Sequence, residues 1–222
     1  MSVISDQHKA VLAKLSAASK RAGLERAQLV AVSKVQPDDR IAEMLKTGQR
    51  IFGENRVQEA QKRWGETFAE ARGDIELRLI GPLQTNKAAD AVALFDVIET
   101  VDREKLLKAL VKAGQAAGKM PRLYVQVNTG EEPQKSGVLP AALPDFLKLM
   151  RRTYNLEPEG LMCIPPAGEA ASPHFWLLSN LANDNGVRKL SMGMSGDYEI
   201  AAEMGATSVR VGSALFGARD YS

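Results

Sequence analysis

Short apolar runs recur along the chain, each followed by a stretch in which apolar side chains return every third or fourth position. Runs without polar alternation predict strands buried on both faces, and the spacing between them predicts amphipathic helices. Val11, Leu12, Leu15 and Ala22 predict a first helix over 3–22, ended by Gly23. Leu29 to Ser33 is the first strand, and a helix from Pro37 carries Ile41, Met44 and Leu45 up to Gly48. Arg50 to Gly53 is strand 2, followed by a helix with Val57, Ala60, Trp64 and Phe68. Ile75 to Ile80 is strand 3, with a loop from Gly81 to Lys87 and a short helix behind it. Val97 to Val101 is strand 4, and Asp102 is the expected cap of a helix bearing Leu106, Leu107, Leu110 and Val111.

Leu123 to Val127 is strand 5, and beyond Asn128 a polar loop leads to a helix with Leu143, Phe146, Leu147 and Met150. Gly160 to Ile164 is strand 6, and Ser172-Pro173 starts a helix with Phe175, Leu178 and Leu181. Lys189 to Met194 is strand 7, with Ser195-Gly196-Asp197 opening the next helix. Ser208 to Gly212 is strand 8, and Ser213 to Gly217 begins a last turn. Strict alternation predicts a parallel sheet, and eight units in 222 residues predict a single α/β domain over 1–222, a (β/α)8 barrel with residues 1–23 as a helix packed on it. An open doubly wound sheet would place a glycine-rich loop after strand 1, and none is there.

Composition narrows the function more than the fold. Net charge is +2 with both signs interspersed, which points away from nucleic acid and membrane surfaces as partners. The N-terminal residues carry no basic segment followed by an apolar core, and no apolar run approaches spanning length, so a cytoplasmic protein is expected. Cys163 is the only cysteine and lies in an apolar run, which predicts a core residue rather than a nucleophile. With His8 and His174 far apart, no metal constellation is expected.

The chemistry gathers at the strand ends. Lys34 follows strand 1, where a barrel presents its site and where a partly desolvated amine can attack a carbonyl. Taken alone, a solvated lysine at a strand end is the commoner outcome. In a barrel it would share one face with Glu54, Asn55, Gly81 to Asn86, Asn128, Pro165, Ser195, Gly212 and Ser213. Ser195-Gly196 after strand 7 and Gly212-Ser213 after strand 8 fall where barrels bind phosphate, although such pairs are also ordinary turn chemistry. Arg210 interrupts an apolar strand, so it needs a partner: a pyridine nitrogen, or a carboxylate such as Glu99 or Asp197. An imine-forming lysine with a phosphate cradle suggests pyridoxal phosphate. An aldolase using a Schiff-base lysine on a sugar phosphate is the competing reading, and it predicts no bound chromophore.

Six segments carry a resemblance: Ala31-Val32-Ser33-Lys34, Phe52-Gly53-Glu54-Asn55, Ile80 to Lys87, Lys135-Ser136-Gly137, Leu190 to Ser195 and Arg210 to Gly217. In this order, from about residue 29 to Arg219, they resemble the YggS/PROSC family of pyridoxal-phosphate homeostasis proteins. The resemblance implies the barrel of alanine racemase without its second domain, and pyridoxal 5′-phosphate bound through Lys34. It implies Ser195, Gly212 and Ser213 at the phosphate, Arg210 at the pyridine nitrogen and Asn55 near the ring. It further implies a monomeric, non-catalytic carrier that buffers the cofactor and delivers it to apo-enzymes; a racemase-type amino-acid enzyme is the alternative. The racemase's second proton carrier is a tyrosine outside the barrel, and neither Tyr198 nor Tyr221 lies in a matching motif. Leu77-Arg78 departs from the aromatic-His pair that similar sequences carry. Strand alternation sends the two to opposite faces, and an inward Arg78 would add positive charge near the cofactor.

Overall fold

The computed structural model describes residues 2–217; Arg219 and Tyr221 lie outside the described residues. Eight parallel strands close on themselves in sequence order: β1 (Gln28–Val32), β2 (Ile51–Glu54), β3 (Glu76–Leu79), β4 (Val97–Val101), β5 (Arg122–Val127), β6 (Gly160–Cys163), β7 (Lys189–Ser191) and β8 (Ser208–Val211). The seam is made by β1 and β8, with Leu29 opposite Val209 and Ala31 opposite Val211. Between and around them run α1 (Val3–Arg21), α2 (Asp38–Lys46), α3 (Val57–Ala60), α4 (Ala88–Leu94), α5 (Glu104–Ala117), α6 (Leu143–Thr153), α7 (Ala171–Asp184), α8 (Tyr198–Glu203) and α9 (Ser213–Phe216). The chain is therefore the (β/α)8 barrel that the alternation predicts. No helix of the described residues is long and apolar enough to cross a membrane.

The main apolar core lies between the strands and the helices. Leu77, Leu79, Ile98, Val125 and Leu161 meet helix residues such as Leu107, Leu147 and Phe175 there. Inside the barrel the filling is different: Val97, Tyr124 and Met162 form a small apolar cluster, and charged side chains share the space. Helix α1 packs on α8, α9 and α2 through Ile4, His8, Val11, Leu15 and Ala18. Its stripe thus runs through Ile4, His8 and Ala18 rather than to Ala22, which is exposed. His8 is buried against Gln49, and that burial lowers its pKa.

Three expected boundaries move. The helix after strand 2 is broken: α3 widens into a π-helix over Gln61–Thr67 and then a 3-10 segment, Ala69–Asp74. Asp102 does not cap α5; Arg103 holds the cap position, and Asp102 pairs with its guanidinium at 2.5 Å. Strand β7 stops at Ser191, because Gly193 turns the backbone to φ +89. A Cβ at Gly193 would also lie 2.4 Å from that of Ala201, so strain and space both call for glycine there.

Gly81 sets the shape of the mouth between β3 and β2. A Cβ there would fall 2.3 Å from the Asn55 carbonyl oxygen and 2.7 Å from its Cα, and backbone atoms cannot move aside cheaply. Gly81→Ala should therefore lower stability by about 1–3 kcal/mol, the usual overpacking cost, and displace Asn55. Urea unfolding with an unchanged m-value would show it, and a midpoint equal to wild type would contradict it.

Candidate functional site

The amine at the head of the site rides on a braced turn. Ser33 closes β1 by donating its N–H to the Gly53 carbonyl, and Lys34-Val35 turn back so that the Gln36 N–H reaches the Ser33 carbonyl at 3.1 Å. Val35 takes φ +58, an unusual conformation for a β-branched residue, so the surroundings must hold it. They do so through Arg63, whose Nη1 donates to the Ser33 carbonyl (3.0 Å) and whose Nη2 donates to that of Gln36 (2.8 Å). The same Nη1 meets Glu54 Oε1 at 2.8 Å, where Ser33 Oγ (2.7 Å) and Trp64 Nε1 (3.1 Å) also donate. The π-helix brings Arg63 and Trp64, neighbours in sequence, to one carboxylate. Glu54 is thus fully buried behind the Lys34 turn rather than presented at the mouth.

Asn128 is likewise turned inward to its own loop. Its side chain donates to the Glu132 carbonyl and accepts from the Glu132 N–H. Lys135 pairs with Glu132 and Lys87 with Asp90. Cys163 is fully buried, and burial pushes its thiol up to about 12, in keeping with a core role.

On the far side of the mouth, the loop after β7 is tied to the loop after β8. Ser195 lies three residues before α8 rather than at its start, so it does not cap that helix. Its Oγ accepts instead from the N–H groups of Gly212 (3.1 Å) and Ala214 (3.4 Å), stitching the two loops together. Met194 N–H donates to Asp197 Oδ1, which shapes the turn between.

These pieces enclose one cavity of about 270 Å³ lined by Lys34, Asn55, Ser195, Gly196, Arg210, Gly212 and Ser213, with Val32, Ile80, Ile164 and Met194 as apolar walls. Six residues scattered over 180 positions of sequence, Lys34, Asn55, Ser195, Arg210, Gly212 and Ser213, meet here. The apolar walls escape a reading of the sequence, since an isoleucine or methionine after a strand looks like more core. A wider cleft of about 750 Å³ adjoins through Asn55 and carries Arg56, Lys87 and Arg103.

Arg210 enters from below, 3% exposed. Its Nη2 donates to the Cys163 carbonyl (2.8 Å) and its Nη1 to Ser191 Oγ (2.6 Å), and Ser191 donates onward to Glu99 Oε2 (2.6 Å). Glu99 itself is 4.0 Å from Arg210, so the carboxylate partner is Glu99, reached through a hydroxyl, while Asp197 serves its own turn. Arg78 points into the barrel and Leu77 into the outer core. Its guanidinium meets Glu99 Oε1 at 3.0 Å and Glu76 at 2.6 Å, so its charge is balanced on the spot.

The residues fit a phosphorylated aldehyde. A Cβ at Gly212 would meet nothing closer than Val32 at 3.5 Å, and one at Gly196 would meet no atom within 4 Å. Protein packing therefore does not demand these glycines; a side chain at either would take up the cavity's own space. An amine, a polar cradle and apolar walls are the donor set that a ring bearing an aldehyde and a phosphate needs.

Comparison with known proteins places the fold and the family. The family model described as alanine racemase, N-terminal domain, matches residues 7–220. A pyridoxal phosphate homeostasis protein of Vibrio cholerae is 42% identical over 226 residues, covering 96% of this chain and 94% of its own. One from Escherichia coli (strain K12) is 37% identical over 221 residues, covering 94% of both. PipY of Synechococcus elongatus, solved without PLP, superposes with a TM-score of 0.86 at 35% identity, over 96% of this chain and all of its own. PipY with PLP bound gives 0.79 at 36%, with the same coverage. Alanine racemase of Clostridium difficile shares the fold at 14% identity (TM-score 0.69), and the match takes in 57% of its length. The chain belongs to the family of the alanine racemase N-terminal domain, among the pyridoxal phosphate homeostasis proteins.

Proposed function

We propose that this protein binds pyridoxal 5′-phosphate in the 270 Å³ cavity, holds it as an imine on Lys34 and releases it to apo-enzymes that need it. The observation that carries the reading is the meeting of Lys34 with the Ser195–Gly212–Ser213 cradle around one ring-sized space. The PLP-bound PipY structure, at 36% identity over 96% of the chain, supports it. Ser195, Gly212 and Ser213 would take the phosphate, Asn55 the ring substituents, and Val32, Ile80, Ile164 and Met194 the ring faces.

When bound, the cofactor supplies an electrophilic carbonyl and a ring able to delocalise negative charge. The protein's own residues restrict the use of that chemistry. A guanidinium facing the ring nitrogen, as Arg210 would, opposes protonation there and leaves the ring a weaker electron sink. The ionisable side chains on the lining are Lys34 and Arg210, among the described residues. Tyr198 packs in the core beside the strands, 5% exposed. Among the described residues of the lining, Lys34 is the group that would take a proton from one face of a bound amino acid, and no second amine, carboxylate or phenol lines the cavity opposite it. We read the protein as a carrier, acting as a cytoplasmic monomer with neither nucleic acid nor membrane as partner. Exchange of α-deuterons from several amino acids tests this; rapid exchange would favour racemase-type turnover instead.

Freshly purified protein should absorb in the visible range, and borohydride should fix the cofactor on Lys34. Peptide mapping checks it, with Lys87 and Lys135, each paired to an acid three residues away, as internal controls. An adduct mainly on another lysine would remove Lys34 from the site.

Ser195→Ala should do two separable things. Losing the acceptor for Gly212 and Ala214 should cost about 0.5–1.5 kcal/mol of stability per bond. Losing a donor to the phosphate should weaken pyridoxal phosphate binding by about ten- to a hundredfold, the range of a charge-assisted hydrogen bond. Binding of pyridoxal, which has no phosphate, should barely change. Equal weakening for both compounds would place Ser195 away from the phosphate.

A further inference from the structure

The barrel interior holds two guanidiniums and one fully buried carboxylate, and their bonding is unequal. Arg78 Nη1 contacts Glu99 Oε1 directly at 3.0 Å. Arg210 reaches the other oxygen only through Ser191, with 2.6 Å bonds on each side of the hydroxyl and 4.0 Å between the charged groups. Arg78 is itself fixed from the opposite end of the barrel. Its Nε donates to Glu76 (2.6 Å), its Nη2 to Gln28 (2.8 Å), and its Nη1 also to Ser208 Oγ (3.3 Å). Gln28, Glu76 and Ser208 open β1, β3 and β8, so this is the floor of the barrel, away from the cavity. Glu76 is shared there with Arg122.

We infer that Arg78 is a positioning residue: by holding Glu99 from the floor, it keeps that carboxylate from closing on Arg210 and leaves the Arg210 charge without a direct carboxylate partner on the cavity side. The inference rests on the reading that Lys34 and Arg210 face one bound ring. A buried carboxylate takes the nearest cation available. Without Arg78, that cation is Arg210, already linked to Glu99 by one hydroxyl. With Arg78 in place, Glu99 is satisfied at one oxygen from the floor, and Arg210, which reaches it only through Ser191, is the positive charge on the cavity side.

The planar fork explains why arginine does this here. It addresses Glu76, Glu99, Gln28 and Ser208 at once, whereas an imidazole has two nitrogens and an ammonium has no fork. The other charged or titratable groups around Arg210 come from every side of the barrel. They are Glu99 on β4, Cys163 on β6, Asp197 behind β7 and Lys34 beyond β1, while Tyr124 on β5 faces Arg78 and Glu99.

The test reads the charge rather than the fold. An uncompensated positive charge on the cavity side disfavours the protonated form of an imine on Lys34, so the pH at which the bound chromophore changes absorbance reports it. Loaded wild type, Arg78→Met, Glu99→Gln, the double variant and Arg78→Lys are titrated, with circular dichroism and thermal melts alongside. Arg78→Met should raise the midpoint by roughly 0.5–1 pH unit and Glu99→Gln should lower it by a similar amount, as expected for one unit charge at this range. The double variant, with both charges gone, should return close to wild type. Arg78→Lys should keep the midpoint while melting earlier, having charge but no fork.

Should Arg78→Met fail to fold, the Glu99→Gln and double variants still decide. Midpoints that stay put in folded variants overturn the inference, even where melting temperatures fall, since a brace alone alters only the melt. A wild-type protein with no reducible chromophore overturns the Lys34 reading itself, and this inference with it.

Discussion

A carboxylate with no exposed surface, Glu99, is the constraint on which the barrel's interior depends. It sits on β4 and is approached from β3 by Arg78, from β7 by Ser191 and, through Ser191, from β8 by Arg210. Four strands that lie around the barrel, two of them remote from β4 in the sheet, are cross-linked at one residue. Burying such a group costs several kcal/mol, and only full satisfaction makes it tolerable. Removing one partner leaves a charge stranded, so the register of these strands and the identity of the interior residues are mutually enforced. An interior filled only with aliphatic side chains would close a barrel equally well. It would not hold a guanidinium fixed under a cavity.

The mouth is organised by the same kind of bond at smaller scale. Glu54 collects Ser33, Arg63 and Trp64 behind the Lys34 turn, and Ser195 collects two backbone N–H groups from the loop after β8. One clamp fixes where the amine starts, and the other fixes where the cradle lies. Between them stand apolar side chains that remain accessible: Ile164 is 37% exposed and Met194 39%. Rigid polar clamps outside and adaptable apolar walls inside would suit the proposed holding and release of a flat ring.

Much of this is legible along the chain, for physical reasons that differ from part to part. Continuous apolar runs such as Val97 to Val101 mark the strands, because a strand covered on both faces has no polar alternation to confuse it. Lys34, Ser195 and Gly212 stand out because amines, hydroxyls and glycines after buried strands are costly as core. Glu54 reads as a mouth residue but is not one, since nothing local reveals that Arg63 and Trp64 will turn onto it; that needs the π-helical widening between them. Ser195 looks like the cap of its own helix, yet its bonds go to residues 17 and 19 positions away. Strand β7 reads too long because Met192 and Met194 continue its pattern, while the bend at Gly193 overrides it. Arg78 is ambiguous in sequence for a sound reason: alternation offers two faces, and only the closed sheet brings Gln28, Glu76, Glu99 and Ser208 within its reach.

Charge placement also bears on the difference between carrying a cofactor and using it. The fold is shared with alanine racemases that are 13–16% identical, and those matches take in 56–62% of their length, so this barrel corresponds to part of such an enzyme. What the barrel supplies by itself is an amine on a strained turn, a cradle between two tied loops and an arginine underneath. On the proposed reading each of these would hold the cofactor in place; proton traffic through a bound amino acid would need groups on both of its faces, and the ionisable lining among the described residues is Lys34 and Arg210. A chain of bonds down to the barrel floor fixes where the Arg210 guanidinium stands beneath the cavity. On the proposed reading, a charge fixed in place would set one electronic state for the ligand, which suits holding more than turnover.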